Sequence, residues 1–235
     1  MSQLSGDERA SYVHGVFSRI AKRYNLMNRL MTAGQDIRWR RETIRRARLT
    51  PGAHLLDIGT GTGDLAREAL RQHPDIVVVA ADFNLAMMLV EQKSSPLPWT
   101  NTDALHLPFP DKSFDAIVSG FLMRNVGDLT VALKEQFRIL KEGGRMVILE
   151  TTRPRTSVFT PFIWIHMHLV IPLIGGLVSG DRGAYRYLPA SSESFLYAED
   201  LADKMSSIGF CNVGYRRLML GTIAIHWGEK DQSSS

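Results

Sequence analysis

The sequence predicts an α/β fold: a doubly wound, mostly parallel sheet with helices on both faces, preceded by an N-terminal helical cap and interrupted late by a helical insertion. Three observations carry that expectation. Short apolar runs alternate with helical stretches of about ten residues through the middle of the chain, the pattern of a parallel sheet covered on both sides. A glycine-rich turn joins the first apolar run to the first of those helices. Two further short runs, reached only after the alternation breaks, read as an antiparallel edge pair. With 235 residues, 44% hydrophobic and 22% charged, the chain is expected to form one globular domain, and a disordered or fibrous protein is excluded.

Taken in order, residues 12–48 read as helical with a break around Thr32-Ala-Gly34, and Pro51-Gly52 punctuates the chain. His54–Ile58 is the first strand, Asp64–Gln72 a helix, Ile76–Ala81 the second strand and Leu85–Lys93 the second helix. A third strand region precedes Asp103. Phe114–Ser119 is the fourth strand, Leu129–Leu140 a helix and Arg145–Leu149 the fifth strand. A helix near Glu199–Ile208 then leads into strands Asn212–Leu218 and Thr222–Trp227, making seven in all. The expected organisation is a cap over 1–50, a ligand-binding core over 51–152, an apolar insertion over 153–195, a closing helix and strand pair over 196–230, and a disordered tail over 231–235.

Charge is mild overall, 28 basic against 24 acidic residues for a net +4, too little to argue for nucleic acid, and no base-flipping motif appears. Its distribution is uneven. Residues 1–50 hold eleven Lys and Arg against four Asp and Glu, a net +7, which points that segment towards an anionic surface or ligand. Cys211 is the only cysteine, so no internal disulfide is possible. Met1–Gly15 has no apolar core, which predicts no secretory leader and a cytoplasmic setting. No histidine pairs with a carboxylate at metal-ligand spacing, so no metal is expected, and His166 and His168, inside an apolar run, read as structural.

The first strand runs into Leu56-Asp-Ile-Gly-Thr-Gly-Thr-Gly-Asp64. Glycines at alternate positions let the backbone turn sharply and approach a ligand closely. Gly59, Gly61 and Gly63 are spaced G-x-G-x-G, unlike the G-x-G-x-x-G of dinucleotide-binding dehydrogenases, so the ligand need not carry a pyrophosphate. Asp82, at the end of the second strand, is placed to accept hydrogen bonds from ribose hydroxyls, a feature common to both folds. Asp103, followed by Ala104, can accept from the exocyclic amine of a purine.

Together Asp57, the glycine loop, Asp82 and Asp103 resemble the Rossmann-like class I S-adenosylmethionine-dependent methyltransferases. Further stretches resemble the ubiquinone/menaquinone biosynthesis C-methyltransferase family over about residues 12–230. They are Val16–Asn28 with its Tyr24-Asn-Leu-Met-Asn28 run, Leu107-Pro-Phe-Pro-Asp111, Arg124-Asn-Val126, Arg138–Glu150, Asp181–Leu188 and Gly221–His226. Glu142, Gly120 and Leu122-Met123 depart from that family's pattern. The resemblance implies S-adenosyl-L-methionine as cofactor, held by Asp57, Gly59, Thr62, Gly63, Asp82, Asp103 and Ala104. It implies methyl transfer to a ring carbon of a demethylated isoprenoid quinol, either demethylmenaquinol or a ubiquinol precursor. Arg124 and Asn125 are the catalytic candidates, and Tyr24, Asn28 and Tyr187 the substrate-binding ones. Methylation of another lipid-like small molecule, or a cofactor-binding scaffold without catalysis, remain alternatives. The apolar run Phe159–Val178 approaches the length of a membrane span, but its prolines, histidines and Gly175-Gly176 predict a lid for a prenyl tail instead. With the basic segment it predicts peripheral contact with the inner face of the cell membrane; a homodimer is a candidate assembly.

Overall fold

The computed structural model describes residues 6–91, 97–179 and 182–232. Lys93, Asp181 and the end of the tail (233–235), named above, lie outside the described residues, as do the side chains of Tyr185 and Leu188. Seven strands form one sheet: β1 His54–Ile58, β2 Val77–Asp82, β3 Trp99–Asn101, β4 Phe114–Gly120, β5 Leu140–Thr151, β6 Phe210–Leu218 and β7 Ile223–Lys230. Their order is β3-β2-β1-β4-β5-β7-β6, parallel through β5, with β7 antiparallel to both β5 and β6. The chain order reverses between β1 and β4, so ligands are expected outside the carboxyl ends of these two strands. β5 starts at Leu140, five residues before the sequence expectation. A register shift opposite Phe114–Ala116 absorbs its polar Lys141–Gly144 start, which carries no strand signal.

Leu55, Leu56, Asp57 and Ile58 of β1 are all buried, as a central parallel strand requires. One face of the sheet is covered by helices α3 (Gln35–Ala47) and α4 (Asp64–Gln72), which pack Trp39, Ile44, Leu65 and Ala69 on Leu55, Val78, Val118 and Val147. The other is covered by α6 (Leu129–Ile139) and α10 (Ala198–Ile208), with Leu133, Ile139, Leu201 and Met205 on Leu56, Ile117, Met146 and Ile148. Asp128 caps α6 by accepting from the Thr130 and Val131 amides at 2.7 and 3.1 Å, satisfying donors the helix cannot.

The remaining helices sit beyond the strand ends. They are α1 (Gly6–Ile20), α2 (Tyr24–Met31) and, in the insertion, α7 (Thr160–Ile165), a π-helical turn His166–Val170, α8 (Ile171–Ser179) and α9 (Arg182–Glu193). The short α5 (Leu85–Glu91) follows β2. Val16, Ile20, Met27 and Met31 pack with Tyr187, Ile171 and Ile174, so α1, α2 and the insertion form one apolar cluster. Helix α3 belongs with the sheet rather than the cap, and this corrects the reading of the basic segment. Arg40 is buried and paired with Asp36 and Asp64, Arg46 bonds Glu42 and stacks on Trp227, and Arg48 pairs with Glu229. Arg40 thus ties α3 to α4, and Arg46 and Arg48 tie it to β7, while Arg38, Arg41 and Arg45 stay exposed. No helix among the described residues is long and apolar enough to cross a membrane.

Candidate functional site

The glycine loop leaves β1 and enters α4 with positive φ at Gly59 (+67°), Gly61 (+58°) and Gly63 (+85°). Two of the three positions also lack room for a side chain. A Cβ at Gly59 would meet Leu122 at 2.8 Å, and one at Gly63 would meet Trp99 at 2.8 Å. Asp57 lies beneath the loop, fully buried, where its carboxylate accepts from the Thr60 hydroxyl at 2.5 Å and the Ala66 amide at 3.0 Å. Burial pushes the Asp57 carboxyl up to about 7 against those hydrogen bonds, and the charges of Asp82 and Asp64 add to the rise. The Thr62 hydroxyl donates to Asn25 at 2.8 Å, fastening the loop to α2.

Outside the loop opens a cavity of about 340 Å³, whose walls include Gly59, Gly61, Asp82, Asp103, Ala104 and Asn125. Asp82 accepts from the backbone amides of Gly61 and Asn84, both at 2.7 Å, and burial raises its pKa. Asp103 is exposed and accepts from the Leu105 amide at 2.9 Å. Asp57, Thr62 and Gly63 do not line this cavity. They shape the loop that does. The far wall comes from α1 through Val13, His14 and Phe17. Buried Asn84 holds that helix to the sheet, donating to the His14 carbonyl at 2.9 Å and meeting the Ser18 hydroxyl. The sequence reading missed Asn84. Its position two residues after the acid that ends β2 is the one signal available.

A second cavity of about 190 Å³ adjoins the first, and Tyr24 and Phe121 line both. Its walls are largely apolar, from Met31, Trp39, Phe162, Ile163, Met167 and Ile171, with Asn28, Arg124 and His166 among the polar contributors. Phe121, at the end of β4, takes φ +60°, a strained value for a non-glycine residue and one that clusters at functional sites. Its carbonyl accepts from the Arg124 guanidinium at 3.2 Å and the Asn125 amide at 2.9 Å. Arg124 is buried and paired with fully buried Glu150, which also takes the Arg124 and Thr151 backbone amides at 3.3 and 2.8 Å. Asn125 accepts from the Tyr187 hydroxyl at 2.8 Å. Tyr187 lines neither cavity; it clasps α9 to the strand end and packs edge-on against Tyr12. Burial pushes the Tyr24 phenol up, while Asn28 and the charges of Arg40 and Arg124 pull it down. The structure thus brings Tyr24, Asn28 and Arg124 into one cavity and Asp82, Asp103, Ala104 and Asn125 into the other. Among the described residues no group of three His, Cys, Asp or Glu side chains is arranged to hold a metal.

A parallel sheet whose glycine loop and second-strand carboxylate face a cavity beyond the strand ends defines the class I methyltransferase architecture. Solved structures share it. A SAM-dependent methyltransferase from Thermotoga maritima superposes with a TM-score of 0.64 at 19% identity, covering 92% of this chain and 99% of that one. The [4+2]-cyclase SpnF superposes at 0.69 with 15% identity, covering 94% and 96%. Fold alone therefore does not decide the chemistry. The sequence does, since the pattern of the ubiE/COQ5 methyltransferase family matches residues 3–230, and the chain belongs to that family of enzymes. It is 42% identical over 221 residues to the ubiquinone/menaquinone biosynthesis C-methyltransferase UbiE of Desulfotalea psychrophila, covering 93% of this chain and 90% of the relative. It is also 42% identical over 220 residues to the demethylmenaquinone methyltransferase of Thermus thermophilus, covering 92% and 100%.

Proposed function

We propose that the protein transfers a methyl group from S-adenosyl-L-methionine to a ring carbon of a demethylated isoprenoid quinol. The observation that carries this reading is the pair of adjoining cavities meeting at Tyr24 and Phe121: the first sets the glycine-loop backbone and the Asp82 and Asp103 carboxylates among apolar side chains, and the second is largely apolar with Asn28 and Arg124 on its wall. The first suits the cofactor in size and in chemistry. It falls in the volume range of small-molecule sites, and its carboxylates suit ribose hydroxyls, an adenine amine and a cationic sulfonium. Asp82 takes the ribose, Asp103 and Ala104 the adenine, and Gly59 with Gly61 offers open backbone. Asp57, Thr62 and Gly63 serve the cofactor by holding the loop in place. When bound, the cofactor supplies an electrophilic methyl group.

The second cavity takes the acceptor ring and the start of its tail. Tyr24 and Asn28 orient ring oxygens, and Asn125, itself held by Tyr187, keeps the wall between cavities in position. Arg124 stabilises negative charge developing on the ring oxygen, while Glu150 fixes its guanidinium. The substrate is collected at a membrane surface. Phe159, just before α7, and Phe162, Trp164, Ile165, Leu169 and Leu173, along α7, the π turn and α8, are exposed, and Phe162 also lines the second cavity. Burying each such side chain in lipid is worth about 1.5–3 kcal/mol, enough together for reversible attachment to the inner leaflet. The test is mass spectrometry of quinone-containing lipid extracts incubated with the protein and labelled S-adenosyl-L-methionine. Label on a quinol ring carbon is the expected product; label confined to other lipids would reject the quinol.

A further inference from the structure

Any C-methylation of a quinol ring needs a proton acceptor, because the ring carbon becomes nucleophilic enough only as the neighbouring hydroxyl gives up its proton. The second cavity has three titratable side chains on its walls, Tyr24, Arg124 and His166. Arg124 cannot accept, since a guanidinium stays protonated in proteins and this one is paired with Glu150. Tyr24 holds its own proton more tightly than an ordinary phenol, because it is buried. We infer that His166 is the base that takes the acceptor's hydroxyl proton, an assignment resting on the quinol reading of this cavity.

Two other histidines, His168 beside it in the insertion and His226 in β7, show how different His166 is. His168 is tied to Glu193 at 2.8 Å, and buried His226 bonds the Ala198 carbonyl at 2.8 Å. The His166 ring is half-buried on the cavity wall and makes no hydrogen bond among the described residues. It opens the π-helical turn His166–Val170, a distortion frequent at functional sites. Helices α7 and α8, on either side, carry no charged residue. Glu193, on α9, is paired with His168, and Arg124, on the same cavity wall as His166, is paired with Glu150. A neutral imidazole offers a lone pair that can accept a proton. The hydroxyl O–H bond breaks with its electron pair left on oxygen, and the proton moves to an imidazole nitrogen. Once the methylated carbon has lost its own hydrogen to water as a proton, the imidazolium returns its proton to the oxygen. One proton is released overall.

The test measures kcat against pH on a short-tailed quinol at saturating S-adenosyl-L-methionine, with calorimetric binding of that cofactor alongside. The intact protein should show kcat rising with pH through an acid limb, as a protonated imidazole cannot accept. His166→Gln should lower kcat roughly 10²-fold and abolish that limb, the usual effect of losing a general base, with cofactor affinity unchanged. A variant that keeps both kcat and the limb overturns the inference. If His166→Gln does not fold, His166→Phe preserves the ring and carries the same comparison. A parent enzyme that methylates no quinol defeats the substrate reading and the inference with it; an active parent with an unaltered variant defeats His166 alone.

Discussion

Around the first cavity the polar groups proposed for the ligand are the glycine-loop backbone and two short carboxylates, each placed at the end of β1, β2 or β3, while apolar side chains from α1 and residues 120–126 complete the wall. Around the second they are longer side chains brought from α2, the end of β4, the insertion and the turn at Met219–Thr222. A local construction can be read from spacing along the chain. An assembled one depends on contacts between residues far apart in sequence, and on buried charges whose partners the sequence does not point to. The two halves of the site should therefore fail in different ways.

The largest expected effect lies in the assembled half. Arg124→Gln leaves Glu150 as an uncompensated buried carboxylate, so a loss of about 3–5 kcal/mol in unfolding free energy is expected, together with loss of turnover. Adding Glu150→Gln should restore much of the stability but not the activity. Denaturant unfolding of both variants checks this, and equal stability in Arg124→Gln would place the pair outside the folding core. The local half has its own buried charge in Asp57. The folded protein keeps a proton there up to about pH 7, whereas the unfolded chain releases it near 4, so this residue's contribution is full below 4 and fades as pH rises to 7. Asp57→Asn should lack that downward slope, worth a few kcal/mol, in unfolding curves taken from pH 4 to 8. His226, pushed down to about 4 by burial, acts oppositely, losing stability as pH falls from 6.5.

Smaller effects separate ligand binding from folding. Asp82→Ala should weaken S-adenosyl-L-methionine binding at least tenfold by calorimetry, about 1.4 kcal/mol, while NAD binds to neither form. Undiminished affinity would remove Asp82 from the cofactor. Tyr187→Phe deletes the clasp to Asn125 and should cost about 1 kcal/mol while raising KM for the quinol more than that for the cofactor. Leu169→Ser with Leu173→Ser, on exposed positions, should leave stability within about 0.5 kcal/mol and reduce sedimentation with lipid vesicles.

The legibility of the sequence follows the same division. His54–Ile58 and Asp64–Gln72 match β1 and α4 residue for residue, because an apolar run and a glycine loop mark their ends. The second-strand acid and Asp103-Ala104 stand where the spacing placed them. Arg40 counts among the eleven basic residues that point the first fifty residues towards an anionic partner, yet it is buried, since nothing in a row of arginines reveals that Asp64, from another helix, will pair with one of them. Trp39, Ile44 and Ala47 at helical spacing were the available sign that α3 packs on the sheet. His166 was read as structural because an apolar neighbourhood in sequence resembles a core, and only the folded chain shows that its ring lines a cavity.

The carbonyl of Phe121 receives both Arg124 and Asn125, so residues 121–125 behave as one hydrogen-bonded piece, whereas the outer wall is built from Phe162, Ile163 and Met167. For anyone wishing to retarget the enzyme to a bulkier or smaller ring, this divides the site into a part to preserve and a part to vary. Substitutions in the 121–125 piece break polar bonds that several groups share, and their costs would not add independently. Substitutions at 162, 163 and 167 exchange one apolar contact for another, so libraries confined to them, with His166 kept, offer new shapes while the proposed reacting centre stays intact.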